Sequence, residues 1–494
     1  MTPLLLGIDV GTSNVKALLT TPEGAIIAQA SEPLPLLTPR PGWVEQDPTA
    51  WWRATCAVIQ RVVQQANLSA DHIAGVGISG QGCAATLLDQ HGDPIRPAII
   101  WMDARSGAEC EAMHARAGNA ILAINGKQPA PYNFDPKLIW MMQHEPEHIE
   151  RACHCLTTTG YINFRLTGEP VLNVSDASIP FAFDQASCDW SETLIEAFGI
   201  PRHLYPRVAR CQDIIGQVTP AAAAATGLRV GTPVIAGGED TSAAGMSVGV
   251  VRPGQAMLSL GTGGSIYIAQ SSPIAHPQLL TFAHVLQHQW FVGGTIVAFG
   301  ASLAWCRDLL GHTDYNAMTA LASECQAGAH GLLFLPYLSG ELQPINDGNA
   351  RGVFFGLSLT THQPQLIRAV MEGVAFSMAH NILVATEVGA TSTELRAVGG
   401  PTKSPLWCQI IADICRQPLV VLANSAGAPL GDALLASAAL GLIPDAGEAA
   451  AKVAEVAHIY QPDPATAEVY DRLFMVYRQL YPQLKHSFAA VAQM

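Results

Sequence analysis

The stretch Leu4-Leu5-Leu6-Gly7-Ile8-Asp9-Val10-Gly11-Thr12-Ser13-Asn14-Val15-Lys16-Ala17-Leu18-Leu19 sets a short turn of Gly, Thr, Ser and Asn between two apolar runs. This is the pattern of two buried strands joined by a tight hairpin. Glycine at Gly11 permits a positive φ that aims successive backbone N–H groups into one concavity, and Thr12 and Ser13 add hydroxyl donors, so the turn suits phosphate oxygens. Asp9 stands at its mouth, where a Mg²⁺ bridging phosphates needs an oxygen ligand. An ordinary buried hairpin begins in the same way, so this stretch alone leaves both readings open.

The chain repeats the plan halfway along. Met257-Leu258-Ser259-Leu260-Gly261-Thr262-Gly263-Gly264-Ser265-Ile266-Tyr267-Ile268 is again an apolar run, a Gly/Thr turn and an apolar run. Two such turns imply two related halves that grip one polyphosphate from both sides of a cleft, which a single structural hairpin does not require. Neither turn is a P-loop or a dinucleotide-binding fingerprint.

Length and composition agree with two halves. At 494 residues the chain exceeds one ordinary core, and the expected domains are residues 1–247 and 248–494. It is 49% hydrophobic and 13% charged, with a formal charge of −14 that argues against a nucleic-acid backbone as partner. No run approaches the length of apolar sequence that spans a membrane, and the start of the chain lacks signal-peptide character, so the expectation is a cytoplasmic protein without a membrane partner. Eleven cysteines without paired spacing read as reduced core thiols; Cys153-His154-Cys155 has no second pair to complete a zinc site.

In chain order, Asp47 and Pro48 form an N-cap and first helical residue, followed by Trp52, Cys56, Ile59 and Val63 at helical spacing. Ile73 to Ser79 reads as a buried strand ending in Gly80-Gln81-Gly82-Cys83, where an open α/β sheet receives its ligand. A plain strand-to-strand turn reads equally well there. Asp103 and Arg105 follow another apolar run, either as a solvated pair or with Asp103 accepting from sugar hydroxyls. Residues 110–220 show only weak periodicity. Thr232 to Ala236 then delivers Gly237, Gly238, Glu239 and Asp240 to the start of a small-residue helix, where one of the two carboxylates would be ionised.

The early Asp-x-Gly-Thr-Ser turn, Gly-Gly-Glu-Asp at 237–240 and Gly-Thr-Gly-Gly at 261–264 together resemble the FGGY family of carbohydrate kinases. The likeness continues through Phe334 to Glu341, Gly352 to Leu357, Arg368 to Phe376 and Val398 to Ser404. It implies an α/β fold of two ribonuclease-H-like domains, as in actin, hexokinase and the Hsp70 chaperones, around a nucleotide cleft. Within the family, order and spacing are most similar to the D-xylulose kinases, which share the Trp43 to Trp52 pattern.

Carried over by position, the resemblance makes Asp240 the catalytic base and Asp9 the magnesium-associated carboxylate, with Asp240 beside the same metal. Gly11, Thr12, Ser13, Gly261, Thr262, Gly263 and Gly264 become the phosphate loops, and Gly399, Gly400, Pro401 and Ser404 border the adenosine. Gln81, Gly82, Cys83, Asp103, Asp240 and Thr241 are the sugar contacts. ATP and Mg²⁺ are the implied cofactors, a small sugar the substrate, and a homodimer is left open. The sugar loop departs from the xylulose kinase pattern: Gln-Met-His-Gly is replaced by Gln81-Gly82-Cys83-Ala84, Asn by Met102 and by Thr241, and Arg by Leu342. Another ketose, a polyol or a sugar acid is therefore an alternative substrate. A nucleotide-gated sensor or chaperone-like ATPase is the alternative outside the kinases, and it would not need a carboxylate at Asp240.

Overall fold

The computed structural model describes residues 3–423 and 426–492. Both predicted hairpins are present. The first pairs β1 (Leu4–Val10) with β2 (Asn14–Thr20), with Val10 opposite Val15. β3 (Ile26–Pro33), β4 (Ile73–Gly80), β5 (Ile214–Gln217) and β6 (Pro233–Ile235) complete a sheet of order β5-β6-β4-β1-β2-β3. β1 and β4 run parallel, while β1, β2 and β3 are antiparallel neighbours.

The second half repeats this arrangement. β7 (Gln255–Leu260), β8 (Gly264–Gln270), β9 (Leu280–Ala283), β10 (Trp290–Ile296), β11 (Glu394–Gly399), β12 (Leu419–Leu422) and β13 (Val456–Tyr460) form a sheet of order β9-β10-β8-β7-β11-β12-β13. β7, β8 and β10 are antiparallel neighbours, and β7 runs parallel to β11. Both sheets thus carry a hairpin-first strand at the centre, antiparallel strands on one side, two in the first sheet and three in the second, and on the other side parallel strands ending in an antiparallel edge strand. That shared unit is the ribonuclease-H-like arrangement.

Local chemistry sets the helices. Asp47 accepts from Thr49 N–H at 2.9 Å and Pro48 begins α1 (Pro48–Ala66), as the cap signal predicts. Its inner face buries Trp51, Trp52, Val58, Ile59 and Val62, each contributing about 1.5–3 kcal/mol. Further on come α2 (Asp240–Ser247), α3 (Gly300–Leu309), α4 (Gln363–Glu387), α5 (Pro405–Cys415) and α6 (Ala428–Ala439). α4 is long and apolar enough to cross a membrane, yet 83% of its most apolar window is buried inside the protein. It is the core helix of the second half.

Where the halves meet, α6 crosses from the second half onto the first sheet, its Leu434 and Leu435 in one apolar cluster with Leu5 and Leu18. The approach is close because glycines line the strands beneath: a Cβ on Gly7 would lie 1.8 Å from the Pro429 carbonyl oxygen, and one on Gly77 would lie 2.3 Å from that of Asp432. α2 packs in turn on α6, with Gly431 against Ala243, and on the second sheet, with Gly245 against Phe291. The order from one side to the other is first sheet, α6, α2, second sheet. Asp240 heads the helix in that stack that touches the second sheet.

Candidate active site

Two cavities lie side by side along the line between the sheets. The first, about 370 Å³, is lined by Thr12, Gln81, Gly82 and Cys83 from the first half, by Glu239, Asp240 and Thr241 at the head of α2, and by Gly263, Gly264, Ser265 and Thr295 from the second. The second, about 580 Å³, is lined by Gly261, Thr262, Gly300, Tyr315, Gly400, Pro401, Ser404 and Trp407. The Gly261 to Gly264 turn is the wall between them, offering one pair of residues to each cavity.

The turn glycines do a different job from the one expected of them. None of Gly11, Gly261, Gly263 and Gly264 has a positive φ. What they supply is room: a Cβ on Gly264 would sit 2.9 Å from Phe299, and one on Gly263 would sit 3.1 Å from the Ile296 carbonyl oxygen. Gly11 N–H donates to Asn14 O at 3.1 Å and Gly261 N–H to Gly263 O at 2.9 Å, so each glycine closes its own turn. Among the described residues this leaves the amides of Thr12, Ser13, Thr262 and Gly263 without a partner. The left-handed glycine of the region is Gly399, with φ +114°, where a Cβ would fall 1.9 Å from the Leu260 carbonyl oxygen. Ser404, beyond it, caps α5 by accepting from Trp407 N–H at 3.3 Å.

The first turn is held by residues of the Trp43 to Trp52 stretch. Gln46 donates to Thr12 O at 2.7 Å, Gln81 donates to Gln46 at 2.6 Å, and Trp51 N–H donates to Gln46 at 3.0 Å. Thr12 in turn donates to Gln81 at 3.1 Å and accepts from Trp101 N–H at 2.8 Å. Gln81 therefore lines the cavity while its amide fixes the turn.

The acids at the centre act on one another. Asp9, at the end of β1, is pushed up to about 7, first by burial and next by the nearby charge of Asp240, with Lys16 opposing. One of its oxygens is buried without a partner. Glu239 caps α2 by accepting from Ser242 N–H at 2.9 Å, and burial and then Asp240 hold its carboxyl well above the usual range. Burial also raises Asp240, but hydrogen bonds from Glu239 and Thr241 pull it back. Both carboxyls are thus raised by burial, and of the two it is Asp240 whose hydrogen bonds favour its charged form.

Asp103 stands elsewhere. It is fully buried, its two oxygens accept from Arg105 and from Val44 N–H, and Arg105 also pairs with Glu45 and lies 3.8 Å over the Trp43 ring. Neither the solvated pair nor the sugar contact describes it, because its hydrogen-bonding capacity is spent inside the protein. The structure instead adds Lys127, Tyr132 and Asn133 to the first cavity, all from the stretch whose sequence periodicity is weak. A buried ammonium from Lys137 donates at 2.6 Å to both Cys83 O and Tyr132 O, joining the two loops that form this wall.

Comparison with known proteins fits this geometry. The model of the FGGY family of carbohydrate kinases, N-terminal domain, matches residues 4–247, and the C-terminal domain of that family matches residues 256–440. The chain belongs to the FGGY family of carbohydrate kinases. It is 34% identical to a xylulose kinase of Escherichia coli strain K12, over 97% of this chain and 99% of the relative. It is 27% identical to a gluconokinase of Bacillus subtilis, over 100% of this chain and 98% of the relative. The structure of xylulose kinase from Rhodospirillum rubrum superposes with a TM-score of 0.93 at 33% identity, covering 98% of this chain and 100% of that one. The kinase is thus a two-domain phosphotransferase of the actin, hexokinase and Hsp70 class, acting on a sugar with ATP as donor.

Proposed function

We propose that the kinase phosphorylates D-xylulose to D-xylulose 5-phosphate, with Asp240 as the base. The observation that carries this reading is the placement of the Asp240 carboxylate in one cavity with the loop at Gln81 to Cys83 and with Gly263 and Gly264 of the second turn. The xylulose kinase relatives, 30–34% identical over nearly the whole chain, support the choice of sugar. Residues 1–247 would hold the sugar and the first phosphate turn, and residues 248–494 the second turn and the adenosine in the larger cavity. The acceptor hydroxyl loses its proton to Asp240 as its oxygen attacks, while the Thr12, Ser13, Thr262 and Gly263 amides receive phosphate oxygens.

The residues present fit a magnesium ion. Asp9 has an unpartnered buried oxygen beside Asp240. No cluster of three protein ligands exists among the described residues, as suits an ion held by one or two carboxylates and by the nucleotide itself. Mg²⁺ there would neutralise phosphate charge. Asp9→Ala is expected to raise the Mg²⁺ concentration for half-maximal turnover and to lower kcat together; a wild-type metal titration in that variant removes Asp9 from the role.

A coupled ADP-release assay over ketopentoses, ketohexoses, polyols and gluconate tests the function. D-Xylulose should show the highest kcat/KM, and ADP release that no carbohydrate stimulates would favour a sensor ATPase. Closure of the cleft should make sugar and ATP raise each other's affinity by the same factor. Calorimetric titration of sugar with and without a non-hydrolysable ATP analogue reads this directly. Gly263→Val, which forces a β-branched side chain against the Ile296 carbonyl, should weaken the analogue and abolish the coupling.

A further inference from the structure

Behind the second turn stands a buried carboxyl that the phosphoryl transfer described above does not use. Glu341 is 2% exposed, yet it lines neither of the two cavities. One of its oxygens accepts from Val297 N–H and from Leu342 N–H, each at 2.9 Å. Burial pushes this carboxyl up to about 7, and those two N–H groups and the Ser377 hydroxyl of α4 oppose the shift because they favour the charged form. An apolar side chain of similar volume would fill the position without that desolvation cost, so the acid belongs there only if the N–H groups it holds must be held.

The place of those N–H groups supplies the reason. β9 reaches only as far as Gly293 of β10, so beyond that residue the outer side of β10 has no partner strand among the described residues. Alternate residues turn their N–H groups to one side of a strand, and here the side chains of one loop take them: Gln343 accepts from Thr295 N–H at 3.1 Å and Glu341 from Val297 N–H. The inner side of the same corner is the floor of the second turn. Gly264 pairs with Ile296, a Cβ on Gly263 would meet the Ile296 and Val297 carbonyl oxygens at 3.1 and 3.2 Å, and the Gly300 and Ala301 N–H groups donate to Gly261 O and Thr262 O at 3.0 Å. Glu341 therefore grips from behind the segment on which the turn rests.

We propose that Glu341 is a positioning residue: through the Val297 N–H it fixes the Gly261 to Gly264 turn in the shape that presents the Thr262 and Gly263 amides to the phosphates of the nucleotide. This rests on the assignment of that turn to phosphate in the reading above. Glu341 touches neither substrate, and its effect passes through the backbone of the corner alone. Gly400, Pro401, Ser404 and Trp407, the wall proposed for the adenosine, belong to α5 and the turn before it, so the phosphates should feel the loss of Glu341 far more than the adenosine does.

Calorimetric titration of a non-hydrolysable ATP analogue and of adenosine, both with Mg²⁺ present, tests it. In Glu341→Leu the affinity for the analogue is expected to fall by about tenfold, the size of one hydrogen bond to a charged group, while adenosine changes by less than about twofold. The ratio of the two affinities cancels a general loss of packing, which would weaken both ligands together. Glu341→Gln keeps a neutral acceptor for the Val297 N–H and should recover most of the lost ratio. An unchanged ratio in Glu341→Leu overturns the proposal, and so does a Gln variant that is no better than the Leu variant. If Glu341→Leu fails to fold, Glu341→Asp, whose shorter stem withdraws the acceptor from Val297, carries the same test with the same expected fall. A wild-type protein that binds the analogue no better than adenosine removes the turn from phosphate binding and defeats the reading beneath this inference; a wild-type preference for the analogue that survives these substitutions defeats the inference alone.

Discussion

Asp240→Asn is expected to lower sugar-dependent kcat by about 10³-fold, within the range for loss of a positioned general base, while ATP affinity stays within a few-fold. Asparagine keeps the shape at the head of α2 and can still accept from Thr241, which donates to Asp240 at 3.0 Å. The second cavity, proposed above for the adenosine and lined by Gly261, Thr262, Gly400, Pro401, Ser404 and Trp407, is not touched. What disappears is the proton acceptor. The same change removes the charge that helps raise Asp9, so the variant should unfold at the same temperature as the wild type or a higher one. Lost turnover with retained stability separates loss of the base from a damaged fold. A variant that keeps more than about a tenth of wild-type kcat removes Asp240 from the role and transfers attention to Glu239.

Glu239 shows why adjacent acids are hard to rank from sequence alone. An apolar run that ends in two glycines and two carboxylates announces a site, because such a run rarely delivers charge to a helix start without use. Which carboxylate points where depends on the cap. Both line the cavity, but Glu239 is engaged as the cap of its own helix through Ser242 N–H, whereas Asp240 is not.

The two hairpins were legible for a local reason. Their signals lie within about a dozen residues of sequence, and apolar runs around a small-residue turn have few other uses. The matching strand order of the two sheets then follows from the repeat. The 110–220 stretch was illegible because Lys127, Tyr132 and Asn133 reach the cavity through contacts far along the chain, such as Lys127 with Ser178 and Asn133 with Ile179. Asp103 misled for a related reason. Arg105 is two residues away and visible, whereas Glu45 and Trp43, which complete its burial, come from a distant loop. The likeness to a family pattern located the loop at Gln81 to Cys83, but no local signal shows that the amide of Gln81 is committed to Thr12 and Gln46.

The placement of α6 was the least visible feature, and it carries the largest expected effect on stability. Gly7→Ala should destabilise the protein by about 3 kcal/mol or more, the upper range for overpacking a site that cannot relax. The added Cβ would meet not a flexible side chain but the Pro429 carbonyl oxygen at 1.8 Å and its carbon at 2.7 Å. Relief requires α6 to lift from β1. α6 also holds Asp432, which accepts from Ser79 at 2.6 Å, and Gly431, which lies against Ala243 of α2. Lifting it therefore disturbs both the end of β4 and the helix headed by Asp240, so kcat should fall along with stability. Gly107→Ala is the control: it stands at the first position of a helix with no atom within 4 Å of the added methyl, and it should stay within about 0.5 kcal/mol of wild type or gain slightly. Urea unfolding of the two variants, followed beside kcat, measures the difference. Equal midpoints for Gly7→Ala and Gly107→Ala would show that α6 does not bear on β1 as tightly as this packing requires, and the first sheet would then need some other cover for Leu5 and Leu18.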